Sequence, residues 1–173
     1  MSVRRLETVS EEQLRQLAGV LMDCVEGGAS VSFMDPLPLD RALAFWRGVA
    51  EGVARGERVL LVAEDGEGIC GTVHLLLDMP VNQPHRGEVL KMLVHRRARR
   101  RGLGAQLMQA VEEAARASGK SLLVLDTSST EAERLYERQG WQRVGSIPGF
   151  ALLPQGGLCP TTFFYREIGR QPA

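Results

Sequence analysis

The stretch from Gly87 to Ser118 constrains the fold more than any other part of this chain. Val89, Leu90, Met92, Leu93 and Val94 form a short apolar run, the pattern of a strand covered on both faces. After Gly104, Leu107, Ala110, Val111 and Ala114 recur at helical spacing, leaving Gln106, Gln109, Glu112, Glu113 and Arg116 for the opposite face. Between strand and helix lies Arg99-Arg100-Arg101-Gly102-Leu103-Gly104-Ala105, with two glycines where the helix begins. A helix N-terminus offers unpaired N–H donors and the positive end of a dipole, so a strand–turn–helix unit of this kind is expected to hold phosphate. Glycine, having no Cβ, lets a bulky diphosphate approach the backbone.

The spacing narrows the choice of phosphate ligand. A dinucleotide-binding GxGxxG fails at its third glycine, which is Leu107, and no GxxxxGK[ST] string exists in the chain. The pattern [Q/R]xxGx[G/A] is met by Arg99, Gly102 and Gly104 directly after the strand. A second pattern, AxxLYxxxGF, is met by Ala132, Leu135, Tyr136 and Gly140, with the aromatic Trp141 closing it. In this order the two resemble the acetyl-CoA motifs of the GNAT superfamily of N-acyltransferases, and the resemblance runs over nearly the whole chain.

That resemblance implies acetyl-CoA or CoA as cofactor and names its contacts. Met92, Leu93 and Val94 would bind the pantetheine arm along an opened strand edge, with a backbone N–H near Leu93 or Val94 for the oxyanion. Arg99, Arg100, Arg101, Gly102, Leu103, Gly104 and Ala105 would wrap the diphosphate. Ser129 stands where many members carry Asn, so that cofactor contact is weakened or moved. Tyr136 would be the general acid for the leaving thiolate, since a phenol of pKa about 10 is protonated at neutral pH. Without the upstream motif, the same tyrosine reads as an ordinary core residue of a short amphipathic helix.

An alkylammonium acceptor must lose a proton before it attacks a thioester. Glu88, on the central strand, and Asp126, at the end of the next strand, are the candidate bases. Their structural alternatives are an ion pair with Arg86 and a turn or cap ahead of Thr127. The stretches GGASVSFM, LDT, VGSIPGFALLPQGG and TTFFYREI are similar to the tabtoxin-resistance branch of the superfamily, which acetylates a small toxin amino acid. There an acidic pair at the matching positions is assigned to this step. The expected activity is therefore acetyl transfer to the primary amine of a small molecule in a ternary complex, with toxin or antibiotic resistance as the role. A protein or peptide N-acetyltransferase and a non-catalytic CoA-binding regulator are the alternatives.

Composition removes other classes. Arg96, Arg97, Arg99, Arg100 and Arg101 form a dense cluster, but Lys+Arg and Asp+Glu both number 21 and the pI is about 6.8. A nucleic-acid partner is not expected from that balance. No run reaches the ~18 apolar residues of a membrane helix, and MSVRRLETVSEE lacks the core of a signal peptide. Cys24, Cys70 and Cys159 are odd in number and far apart, and His74, His85 and His95 show no metal spacing. The expectation is a cytoplasmic protein without disulfides or metal.

The remaining segments supply the elements around this centre. Ser2 to Val9 reads as a short strand. Ser10 and Gln13 form a capping box, followed by a helix with Leu14, Leu17, Leu21 and Val25 inward that stops at Gly27-Gly28. A Pro-rich loop precedes a helix after Asp40, and Arg58–Asp65 with Ile69–Asp78 reads as a β-hairpin. A strand follows at Ser121–Leu125. Thr130 and Glu133 would cap a helix ending at Gly140. Trp141–Ile147 and Thr162–Ile168 read as strands joined by a Pro/Gly-rich loop, and these two strands invite exchange or pairing in a homodimer. The order implies one α/β domain, residues 1–173, with a mixed central sheet and helices on both faces. This is also the GNAT arrangement.

Overall fold

The computed structural model describes residues 1–169. Its first half contains β1 (Ser2–Leu6), α1 (Glu11–Glu26), α2 (Leu39–Ala54), β2 (Arg58–Asp65) and β3 (Gly68–Leu76). The second half contains β4 (Arg86–Val94), α3 (Leu103–Ala117), β5 (Leu122–Thr127), α4 (Thr130–Arg138), β6 (Gln142–Leu152) and β7 (Leu158–Glu167). Seven strands form one sheet in the order β1-β2-β3-β4-β5-β7-β6. Only β4 and β5 are parallel neighbours; all other adjacent strands are antiparallel.

Alternation along β2 shows why the sheet needs helices on both sides. Leu60 and Val62 join Leu17, Leu21 and Trp46 of α1 and α2, whereas Val59, Leu61 and Ala63 join Leu107, Met108 and Val111 of α3. Both faces are thus apolar, and the strand reads as a continuous hydrophobic run. The Ser10 box forms as expected: Gln13 N–H donates to Ser10 Oγ at 3.1 Å, and Ser10 N–H donates to Gln13 Oε1 at 2.9 Å.

Three expectations are corrected here, concerning the C-terminal loop, Glu112 and the cap of α4. The strands of the β5–α4–β6 unit are not neighbours, because β7 lies between β5 and β6. Strand β7 carries the buried Thr161, Thr162 and Phe164, while β6 is mostly exposed and takes the edge. The Pro/Gly-rich stretch is largely strand, with β6 running to Leu152 and β7 starting at Leu158. A register shift between Ile147 and Ala151 absorbs Pro148 and Gly149, which an edge strand tolerates.

Glu112 is buried rather than solvated. Its Oε1 accepts from Trp141 Nε1 at 3.2 Å and lies 3.0 Å from Arg166 Nε, while Oε2 lies 3.4 Å from Arg116. Helix α4 is capped by Ser129, whose Oγ accepts from Ala132 N–H at 3.2 Å. Glu133, expected in a box with Thr130, instead accepts from Thr162 Oγ1 at 2.7 Å and pairs with Arg143 at 2.9 Å.

A buried histidine beside α2 sets an acid limit on stability. His74 packs its ring 6.0 Å from Trp46 and 6.3 Å from Phe45, and its Nδ1 has no hydrogen-bond partner. Burial, with the positive charges of Arg58 and Lys91, depresses its pKa from 6.5 to about 3. Below pH 6.5 the unfolded chain takes up a proton there that the folded chain refuses until about pH 3. Stability therefore falls as pH drops through that window, by about 2 kcal/mol at pH 5 from this group alone. Denaturant unfolding at pH 7 and pH 5 should show that loss, and His74→Leu should remove most of it.

Candidate active site

The site exists because β4 and β5 part company. They pair only at Arg86 with Leu122, Gly87 with Leu123 and Glu88 with Val124. Beyond Glu88 the β4 edge facing β5 has no strand partner. On its other edge β4 bulges: Thr72 faces Leu93 while His74 faces Leu90, so β4 carries one extra residue. Lys91 in that bulge has a left-handed φ of 51°. Bulges re-aim side chains and break pairing, and here one adjoins the opened edge. The expectation that β4 is covered on both faces is corrected accordingly, since Leu90, Lys91, Met92 and Val94 are only half-buried.

The opening is a cleft of about 890 Å³. Met92, Leu93 and Val94 line one side, and Thr127 to Ala132, Leu135 and Tyr136 line the other. Of the residues expected at the cofactor or in catalysis, all but Glu88 and Arg101 line this cleft.

The turn before α3 has the features an anion needs. Gly102 holds φ +75°, which only glycine adopts freely, and no side chain caps the helix there. The first helical bond is Gln106 N–H to Gly102 O at 3.2 Å, so the N–H groups of Leu103, Gly104 and Ala105 have no helical acceptor. A Cβ built at Gly102 meets nothing within 4 Å, so the approach is open. Gly104 also lines the cleft, and a Cβ there would lie 3.0 Å from Leu135 Cδ2, so the missing side chain in addition lets the start of α3 pack against α4. An unpaired strand edge and an uncapped, glycine-led helix N-terminus together fit a pantetheine diphosphate.

The arginine cluster is not one free basic face. Arg96 is bonded to Asp23, Arg97 pairs with Asp65 at 3.1 Å, and Arg99 Nε donates to Val94 O at 3.2 Å. Arg97 holds the Asp65 carboxyl down at about 2.

The two carboxylates differ. Asp126 lines the cleft, and its Oδ2 accepts from Thr161 Oγ1 at 2.7 Å. Glu88 sits opposite Val124, two residues short of Asp126 on the neighbouring strand, and its Oε1 is 2.8 Å from Arg86 Nη1. Tyr136 is buried with its ring 5.7 Å from Phe164 and 6.0 Å from Trp141. Burial, reinforced by the negative charge of Asp126, pushes its phenol well above the ordinary value. It holds its proton throughout the neutral range.

The far end of the cleft was not legible in the sequence. Ser30 Oγ donates to Leu152 O at 3.3 Å, and Asp35 N–H donates to Pro154 O at 3.0 Å. Gln155 Nε2 donates to Val25 O and Glu26 O at 3.3 Å each. These bonds tie the α1–α2 loop to the β6–β7 turn, and both contribute to the lining through Ser30, Ser32, Phe150 and Leu153. Lys91 also lines the cleft, hidden in sequence as one polar letter inside an apolar run. Among the described residues no group of three or more His, Cys, Asp or Glu is arranged to hold a metal ion, and no helix is long and apolar enough to cross a membrane.

Comparison with known proteins agrees with this geometry. The profile described as "Acetyltransferase (GNAT) family" matches residues 29–141. An uncharacterized N-acetyltransferase in the hisH-hisA intergenic region of Azospirillum brasilense is 31% identical over 133 residues, covering 76% of this chain and 77% of that protein. The fold superimposes on YncA, a putative acetyltransferase from Salmonella typhimurium solved with its cofactor acetyl-CoA, with TM-score 0.80 and 18% identity over 100% of this chain and 96% of that one. An N-acetyltransferase from Staphylococcus aureus Mu50 gives TM-score 0.80 and 17% identity over 98% and 100%. The splayed β4–β5 pair, the glycine-led turn before α3 and these matches together place the chain in the GNAT acetyltransferase family.

Proposed function

We propose that this acetyltransferase moves the acetyl group of acetyl-CoA to the primary amine of a small, amino-acid-like molecule, in the manner of a toxin- or antibiotic-inactivating enzyme. The observation that carries the small acceptor is the wall made by the α1–α2 loop and the β6–β7 turn. Three hydrogen-bonding residues, Ser30, Asp35 and Gln155, tie these two segments to each other. A peptide acceptor needs an open groove, and this end of the cleft is bounded.

The residues divide the labour as follows. The unpaired edge of β4 from Met92 to Val94 and the turn from Arg99 to Ala105, with Ser129, hold the acetyl donor, whose thioester supplies the activated acyl group. Asp126, fixed by Thr161, takes the proton from the incoming ammonium, directly or through water, with Glu88 further along the same face as the second candidate base. A nitrogen–carbon bond then forms, the carbon–sulfur bond breaks, and the sulfur leaves with the electron pair. Tyr136 serves that sulfur as a hydrogen-bond donor more than as a full acid. Its phenol binds its proton more tightly than an ordinary thiolate of pKa about 8.5 would, so complete transfer runs uphill.

Thiol release from acetyl-CoA, measured over a panel of free amino acids and amines and over peptides with free N-termini, tests the reading. Turnover is expected with small acceptors only. Turnover confined to peptides would overturn it.

A further inference from the structure

Three non-glycine residues among those described adopt positive φ: Ser32 at 80°, Lys91 at 51° and Arg100 at 60°. All three line the cleft. Left-handed backbone is unfavourable for residues with a Cβ, and it persists where surroundings impose it, commonly at binding sites. Arg100 belongs to the turn before α3. Ser32 and Lys91 come from the α1–α2 loop and the β4 bulge, and they are bonded to each other, with Lys91 Nζ donating to Ser32 Oγ at 3.0 Å. The ammonium also lies 5.8 Å from the centre of the Phe45 ring. Two strained residues from distant segments therefore fix one cation at one point of the cleft wall.

An ammonium has three donors, and Ser32 takes one of them. Its bonded partner is a hydroxyl rather than a carboxylate. Across the opening, Asp126 on β5 is likewise held by a hydroxyl, that of Thr161. The cleft thus carries a fixed cation and a fixed anion on opposite strands, each oriented by a neutral partner. Burial lowers the affinity of Lys91 for its proton, while the charge of Asp126 acts in the opposite sense. A partly desolvated cation of this kind gains from a carboxylate and repels a second ammonium.

We propose that Lys91, aimed by Ser32, recognises a carboxylate on the acceptor, so that the acceptor is an amino-acid zwitterion whose ammonium faces Asp126. A polyamine or an uncapped basic side chain would bring a second positive charge toward Lys91 and is disfavoured. This rests on the acetyl-transfer reading above and adds the residue that selects the substrate class.

The test uses matched acceptors that differ only in the carboxylate: phenylalanine with phenethylamine, tyrosine with tyramine, lysine with cadaverine, and ornithine with putrescine. Thiol release from acetyl-CoA gives kcat/KM for each, and calorimetry gives acetyl-CoA affinity separately. The unaltered protein should favour the amino acid of its best pair by about tenfold or more, the range of a charge-assisted contact. In Lys91→Met, which keeps the stem and loses the charge, that preference should fall to about twofold or less, mainly through KM, with acetyl-CoA affinity unchanged. Ser32→Gly suits the positive φ and removes the hydroxymethyl group that meets Lys91. It should raise KM for amino acids without lowering Tm, which a merely structural Ser32 would not do. Preference for the plain amines, or a preference that survives in Lys91→Met, would overturn the assignment. So would a protein that binds acetyl-CoA yet acetylates no amino acid. A protein that fails to bind acetyl-CoA would instead remove the acetyl-transfer reading itself.

Discussion

Asp126→Asn is expected to lower kcat/KM for the amine acceptor by about 10²–10⁴-fold, the range of a positioned general base. Asparagine keeps the shape and can still meet the Thr161 hydroxyl, so the fold and acetyl-CoA affinity should hold. What it loses is the ability to take a proton from the incoming ammonium. Activity left in the variant should therefore climb with pH toward the acceptor's own pKa, because only the free amine can attack. Glu88→Gln should cost much less, since Glu88 lies outside the cleft lining and is engaged by Arg86 at 2.8 Å. Steady-state rates from pH 6 to pH 10 on both variants read this out. Equal losses in the two would return Glu88 to the role of base. A loss below about threefold in Asp126→Asn would assign proton removal to another group.

The second large effect is structural. Phe164 on β7 is fully buried, pairs in register with Leu125 and presents its ring edge-on to Tyr136 at 5.7 Å. Phe164→Ala should destabilise the protein by about 3–5 kcal/mol through lost burial and an unfilled cavity. For a chain of this size that is a fall in Tm of roughly 6–20 °C. The substitution also removes the surface that holds the Tyr136 ring, so kcat should drop at temperatures where the variant is still folded. Thermal unfolding and rates measured well below Tm separate the two. A loss under about 1 kcal/mol would mean that β7 is not a central strand of this sheet.

Much of this architecture is written locally. The change from strand to helix period around Gly102, the Ser10–Gln13 box and the Leu135-Tyr136 to Gly140-Trp141 spacing each depend on a few consecutive residues. The elements they specify formed where expected. The misreadings share a cause, which is contact between distant segments. Glu112 sits at a position that helical periodicity assigns to solvent, but Trp141 and Arg166 reach it from other elements. Glu133 is drawn away from its expected cap by Thr162, 29 residues on. Pro148, Gly149, Gly156 and Gly157 read as loop residues, yet one register shift and a tight turn leave most of the stretch as hairpin.

The site divides the same way. The residues of the turn before α3 follow from motif and helix electrostatics. Gly104 carries a second constraint that its motif does not announce, because only the assembled fold brings Leu135 against it. Lys91 carries no local mark: nothing in KMLV announces a left-handed bulge, which arises where β4 must pair with β3 while its other edge stays open. The wall at the far end of the cleft joins Ser30 to Leu152, 122 residues apart, and no periodicity foretells it.

Calorimetric titration with acetyl-CoA tests the central claim most directly, with Arg100→Glu beside the unaltered protein. Arg100 lines the cleft at the uncapped N-terminus of α3, so reversing its charge opposes a diphosphate without touching the core. Micromolar binding is expected for the unaltered chain, weakened about tenfold or more in the variant at equal Tm. No heat at millimolar acetyl-CoA from folded protein, or equal affinity in both, would contradict a donor site at this turn.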